Sequence, residues 1–451
     1  MNGKRIAIII PMLLFLFFCH GCSPRDPVEP GTTVDILYTG NVNGELQRCG
    51  CSDKQFGGVA RRKTVIEQVR TEHSLLLDAG DIFFGSFQEL VGSTPFYRDK
   101  SSTMIRAMNL MAYDGVMIGD YDFAEGKDFL LENAAQADFP FICANLLGPD
   151  GKPVFAPYRI VNRSGVRIGI VGFLDSNVVT ELYRKALGTL RIEDPFETAR
   201  RLMPSIEKES DLIVALLHFN IIDVEAFLAA NPKIQVAVLG HTVGEGTVEK
   251  TGSALLVSGG RLGKELGRLS LKLDARARVV DAAGELIPIP EALAEDSAVG
   301  DEVVGFNRRV TEKRYSDQVR YRSAKGGGQN FIGADACLPC HPVIHQQWSN
   351  TSHAFALDTL VEKNYAFNPE CVVCHVVGYR DPSGFISRDK TPQLAGVQCE
   401  SCHGAAKEHM AGNPMKPGVP EEVCATCHND VHSPAFEYIT YLGLSDQCSL
   451  H

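Results

Sequence analysis

The sequence predicts an α/β domain followed by a mostly helical, cysteine-rich one, and three observations carry that expectation. Apolar runs alternate with helical patterns from residue 34 to about residue 274. Lys325-Gly326-Gly327-Gly328-Gln329 then marks a flexible joint. Beyond it, eight of the fourteen cysteines fall between Cys337 and Cys427, in Cys-x-x-Cys pairs each followed at once by His. At 451 residues the chain has room for two or three domains. Hydrophobic residues at 44% and charged ones at 22% are the proportions of globular protein. Lys and Arg number 44 against 55 Asp and Glu, a net charge of −11 with no basic run. That excludes a nucleic-acid binder, whose footprint is basic.

The first residues read as a targeting device. Lys4 and Arg5 precede an apolar run over residues 6–18, too short to span a bilayer and suited to an export signal. Gly21 then Cys22, followed by polar residues, resembles the end of a bacterial lipoprotein signal, in which the cysteine is lipidated. Cys19 departs from that pattern, because an aliphatic residue usually stands there. The expectation is a signal over 1–21 and a tether over 22–33. The protein would then be exported to the periplasm or cell envelope, with a lipid on Cys22 anchoring it to a membrane.

The α/β domain is expected over 34–286. Its runs at 34–38, 74–78, 115–118, 141–144, 166–173, 212–218, 236–240, 254–258 and 266–273 are mostly continuous rather than alternating. Strands covered on both faces read this way. Asn41, Asp81, Asp120, His218 and His241 gather where these strands end, the edge at which open α/β sheets bind ligands. Residues 287–330 read as a charged helix and the Gly-rich linker.

The third region, 331–451, contains Cys337-Leu-Pro-Cys340-His341, Cys371-Val-Val-Cys374-His375, Cys399-Glu-Ser-Cys402-His403 and Cys424-Ala-Thr-Cys427-His428. Two thiols one helical turn apart form thioethers to haem vinyl groups, and the adjacent His becomes an axial iron ligand. Paired cysteines also bind zinc, but zinc does not require His directly after every pair. Four covalent c-type haems are therefore expected. They share 121 residues, too few for a conventional apolar core, so the porphyrins themselves should fill the centre. This region carries 6 Lys and Arg against 13 Asp and Glu.

The four motifs, with His353 in Trp348-Ser-Asn-Thr-Ser-His353, His409 and His432-Ser433-Pro434, resemble the tetrahaem cytochrome c family of the hydroxylamine-oxidation pathway over residues 331–440. The resemblance implies that His353, His409 and His432 are distal ligands and that one haem keeps an open position. His345 is either a fourth distal ligand or a surface helix residue. The remaining His451 and Cys448 carry no reading.

A second resemblance covers residues 34–275. Asp35-Ile-Leu-Tyr-Thr-Gly-Asn41-Val-Asn43, Gly57-Gly58-Val-Ala60-Arg61, Leu77-Asp78-Ala79-Gly80-Asp81, Gly119-Asp120-Tyr121-Asp122, Ala144-Asn145-Leu146, Leu216-Leu-His218 and Gly240-His241-Thr-Val243 occur in order. They resemble the 5'-nucleotidase branch of the calcineurin-like metallophosphoesterases. The resemblance implies a double β-sandwich flanked by helices, with metals in the loops between sheets. One of the family's two metal positions loses its ligands here, to Asn41, Asn43 and Val243. The other keeps Asp81, Asp120, His218 and His241, so a single divalent ion is expected. The acid that assists the leaving group is replaced by Tyr121. Cys49-Gly50-Cys51 is either an exposed loop pair or a source of thiolate ligands or redox chemistry, favouring a softer metal.

The leading expectation is thus an exported multihaem electron-transfer protein working with redox partner proteins. The alternative is a metal-dependent hydrolase of phosphate or sulfur esters with accessory haems. No catalytic residue is assigned by the sequence.

Overall fold

The structure, a computed structural model, describes residues 28–49, 56–85, 94–241, 248–318, 330–415, 418–429, 432–433 and 435–445. The export signal, Cys22, Cys51, Val243, residues 325–329, Pro434, Cys448 and His451 lie outside these residues, and of Cys49 only the backbone is described.

Strand Thr33–Thr39 runs parallel to Ser74–Asp78 and antiparallel to Glu265–Leu273. Val279–Pro288 and Gly115–Val116 complete this sheet, five strands among the described residues. In a second sheet, Leu212–His218 lies parallel between Val166–Leu174 and Val236–Gly240. Tyr158–Arg163 closes one edge, and Ala254–Ser258 with Glu249–Thr251 closes the other.

Leu212–His218 shows why the runs are continuous. All seven residues are buried, but successive side chains point to opposite faces. Val214 and Leu216 enter the core between the sheets with Ile36, Leu76 and Val236. Ile213, Ala215 and Leu217 pack instead with Ala199, Met203 and Phe227 from helices Pro195–Glu209 and Ile221–Ala230. The result is the double sandwich with helices outside. The apolar stretch at 141–144 forms only isolated bridges, Phe141 with Val116 and Ile142 with Ala156.

Helix Ser297–Lys313 starts at Asp296, whose carboxylate accepts a hydrogen bond from Val299 N at 2.9 Å. Such a cap satisfies one of the donors left over in the first helical turn. Val299, Phe306 and Val310 bury into the same core as the sheets, and the helix packs on Val59–Val69 and Thr94–Asn109.

Beyond residue 330 the chain forms short helices, including Pro342–Trp348, Ala356–Glu362, Pro369–Val372, Cys399–His403 and Lys407–Met410. Their apolar cluster has eight buried members, centred on Leu357, Leu360 and Val372. This region rests on the first through polar contacts. Lys100 Nζ meets Glu370 at 2.6 Å, the Tyr365 hydroxyl donates to Gln47 Oε1 at 2.6 Å, and the Tyr379 hydroxyl donates to Ser316 O at 2.9 Å.

Candidate functional site

Four loops at the C-terminal strand ends bring Asp81, Asp120, His218 and His241 together, each offering one ligand atom within 4.8 Å of the others. His218 ends its strand, fully buried, with Nε2 3.0 Å from Asp120 Oδ1 and 3.5 Å from Asp81 Oδ2. Its Nδ1 lies 2.9 Å from Ala79 O, which orients the ring and turns Nε2 toward the carboxylates. His241 Nδ1 is 3.0 Å from the same Asp120 oxygen. The other oxygen, Asp120 Oδ2, is buried with no hydrogen-bond partner.

Burial lifts the Asp81 carboxyl well above the usual range, and the like charge of Asp120 adds to this. Burial alone would lower His218, but Asp81 and Asp120 outweigh it and raise it to about 9. Hydrogen bonds from both histidines hold Asp120 down despite its burial. Two carboxylates and two imidazoles converge here, and such a set of oxygen and nitrogen donors could hold a borderline divalent ion.

The local backbone is shaped for this convergence. Asn41, Asn43, Asp81 and His241 have φ of 50°, 54°, 58° and 64°, in the left-handed region that side chains other than glycine seldom occupy. Such strain persists only where surrounding contacts hold it. Gly119 must be glycine because a Cβ would lie 2.0 Å from Asp81 Oδ1. Asp122, not singled out from the sequence, holds two of the loops. Its carboxylate accepts from Asp81 N at 3.1 Å, Phe83 N at 3.0 Å and Gly119 N at 2.8 Å, while burial pushes it up to about 7. Nothing in the Asp120-Tyr121-Asp122 segment of the sequence sets this role apart from that of Asp120.

Asn41 acts as a strut: its Oδ1 accepts from His241 N at 2.9 Å, tying the first loop to the last. Asn43 N donates to Asp81 O at 2.8 Å, and its own Oδ1 is buried. Tyr121 N donates to Asp81 Oδ1 at 3.0 Å, and its ring packs 5.5 Å from Tyr183 and 6.5 Å from His241. The Cys49 backbone pairs with Phe56.

In the second region the motifs stand in two pairs. Cys337 lies beside Cys399 and Cys374 beside Cys427, each near enough to influence the other's thiol. Cys340, Cys371, Cys402 and Cys424 complete the motifs in the same short helical turns. His341 and His409 face each other with ring centres 6.3 Å apart, and His353 and His428 at 6.0 Å. That spacing is about what two imidazoles need to bind opposite faces of one iron. His375 Nδ1 lies 2.6 Å from Ala356 O, and His409 Nδ1 lies 2.8 Å from Asn413 O. Donation from Nδ1 leaves Nε2 with its lone pair for a metal. Burial lowers His353, His375 and His428, favouring the neutral form that ligates. His403 ends helix Cys399–His403, and His432 is exposed. His345 has Nε2 3.5 Å from Asp335 Oδ1 and its ring edge-on to Trp348.

Among the described residues no helix is long and apolar enough to cross a membrane. A family model described as cytochrome c554 and c-prime matches residues 336–404, the first three motifs. The snake venom 5'-nucleotidase of Naja atra is 28% identical over 328 residues, 63% of this chain and 58% of that protein. The calcineurin-like phosphoesterase YfkN of Bacillus subtilis superposes with a TM-score of 0.55 at 23% identity, covering 62% of this chain and 98% of that one. The sulfate thiohydrolase SoxB of Thermus thermophilus gives 0.53 at 16% identity, covering 61% and 60%. The chain spans about half the length of the first curated relatives it matches. Its α/β region has the calcineurin-like phosphoesterase fold of the 5'-nucleotidases, and a segment matched by the cytochrome c554 model follows it.

Proposed function

We propose that this protein is an exported, lipid-anchored c-type cytochrome that carries four covalent haems and passes electrons between redox partner proteins. Its phosphoesterase-like region would hold one divalent metal ion. The observation that carries the reading is the fourfold Cys-x-x-Cys-His pattern, with two pairs of imidazoles at iron-spanning distance.

The donor set fits the group. Cys337 and Cys340, Cys371 and Cys374, Cys399 and Cys402, and Cys424 and Cys427 would form the thioethers. His341, His375, His403 and His428 would be the proximal ligands, and His409 and His353 would serve opposite His341 and His428. His432 would be the third distal ligand, and His345, whose Nε2 is buried with no hydrogen-bond partner, is the candidate for the fourth. Haem supplies one-electron redox chemistry. The chain's own residues orient the His375 and His409 rings, favour the neutral form of His353, His375 and His428, and bring the motifs together in pairs.

At the sandwich, Asp81, Asp120, His218 and His241 would bind the metal, with the orphaned Asp120 Oδ2 as an available donor. Cys49 and Cys51 are candidates for a further thiolate. The same complete cluster favours a second reading, a metal-dependent hydrolase of phosphate or sulfur esters. Two features weigh against it: Asn41 spends its side-chain oxygen on His241 N, and Tyr121 occupies the position of the acid.

Metal analysis and AMP hydrolysis by the whole protein, beside a redox titration of its visible spectrum, separate the readings. The expected result is reversible reduction, one metal per chain and no nucleotide turnover. Two tightly bound metals with brisk hydrolysis would put the hydrolase first.

A further inference from the structure

Glu400 is the middle of a haem-attachment motif and yet is 2% exposed. A buried carboxylate is costly unless its oxygens are satisfied. Here backbone donors satisfy them: Ile332 N at 3.0 Å, Gly333 N at 2.7 Å and Ala406 N at 2.8 Å. Among the described residues no Lys, Arg or His forms an ion pair with it.

The donors are informative. Ile332 and Gly333 lead directly into Ala334–Cys337, the turn that opens the first motif. Ala406 leads directly into Lys407–Met410, which carries His409. One carboxylate therefore fixes the chain on both approaches to the His341–His409 ring pair. Its charge is also felt at Cys337, where it helps to raise the thiol behind the larger effect of burial. Neighbouring Gln398 reinforces the clasp, accepting from Ala334 N at 2.6 Å and donating to Gln393 O and Ala395 O.

We propose that Glu400 is a positioning residue and fixed internal anion that aligns the His341–His409 pair and lowers the reduction potential of the haem carried by Cys337 and Cys340. The inference rests on the haem reading above. An oxidised haem carries one more positive charge than a reduced one, so a nearby anion shielded from water favours the oxidised state. Glu400 also lies between Cys399 and Cys402, so the first- and third-motif haems are expected to be the two lowest in potential.

The test is a spectroelectrochemical titration of the whole, haem-loaded protein, with Glu400→Gln, Glu400→Asp and His409→Met compared with the wild type. Glu400→Gln removes the charge and should move one haem's reduction equilibrium about tenfold toward the reduced form, an upward shift of about 59 mV for a one-electron couple. Glu400→Asp keeps the charge and should stay near the wild-type value. His409→Met identifies the haem, because a thioether ligand raises the potential of the iron it serves. Unmoved potentials in fully loaded Glu400→Gln, or equal shifts in the Gln and Asp variants, overturn the inference. If Glu400→Gln loads fewer haems, His409→Met decides. The haem it marks must be one of the two lowest in the wild-type protein, and a marked haem higher in the series overturns the proposal. A wild-type protein lacking covalent haem would instead defeat the haem reading itself.

Discussion

The two halves of this chain position their functional groups by different means. In the sandwich, His218 is placed by a strand whose every residue is buried and whose two faces sit in two separate cores. In the motif region, no residue of Pro342–Trp348, Lys407–Met410 or Glu421–Ala425 is buried. Side chains there are set by backbone hydrogen bonds, by Glu400 and, on the reading proposed, by thioether bonds. The first half stands on its own two cores, whereas on the reading proposed the second has one small apolar cluster and leans on its haems for the rest.

The largest expected effect breaks the chain along that line. Produced without haem attachment, the protein should be cut rapidly by protease throughout residues 331–451, while the sandwich resists. Equal resistance of both halves would show that the second region has a self-sufficient core. Next comes damage confined to the first half. Phe227→Ala removes a ring that packs on Phe173, Phe196 and Phe219 and should cost about 3–5 kcal/mol in denaturant unfolding. The haem spectrum should be unchanged. Loss of that spectrum along with the sandwich would mean that the halves fold as one unit.

The metal centre sharpens the comparison further. His218→Ala should take bound metal from one per chain to near none. Asn41→Ala, which removes the strut to His241, should weaken metal affinity by about 10-fold, as outer partners of ligands commonly do. An Asn41→Ala protein that binds metal as tightly as the wild type would mean that His241 needs no support. The smallest effect belongs to His345→Ala. Because His345 Nε2 is buried with no hydrogen-bond partner, electron paramagnetic resonance should show one new high-spin component. An unchanged spectrum would show that it ligates no iron.

The parts legible in the sequence were those with local repetition. Continuous apolar runs marked the central strands, and identical Cys-x-x-Cys-His spacings marked the segment that the cytochrome c554 model matches. Tyr158–Arg163 escaped because edge exposure leaves it Arg159, Asn162 and Arg163, with Val161 its one buried residue. Val279–Pro288 escaped for the same reason, being largely exposed along its length. Asp81, Asp120, His218 and His241 were legible through motif resemblance, since their separations in sequence carry no period. The roles of Asn41, Asp122 and Glu400 were not legible. Each depends on which backbone N–H groups a carboxylate or amide meets across the fold, and composition holds no trace of that.

The central claim is that the second half is a four-haem electron carrier. The most direct measurement is the intact mass of the mature, denatured protein, where only covalently held haem remains attached. The account predicts a mass increment of four haems, each lost on replacing its own cysteine pair. An increment of fewer than four, or a mass matching the bare chain, would contradict it.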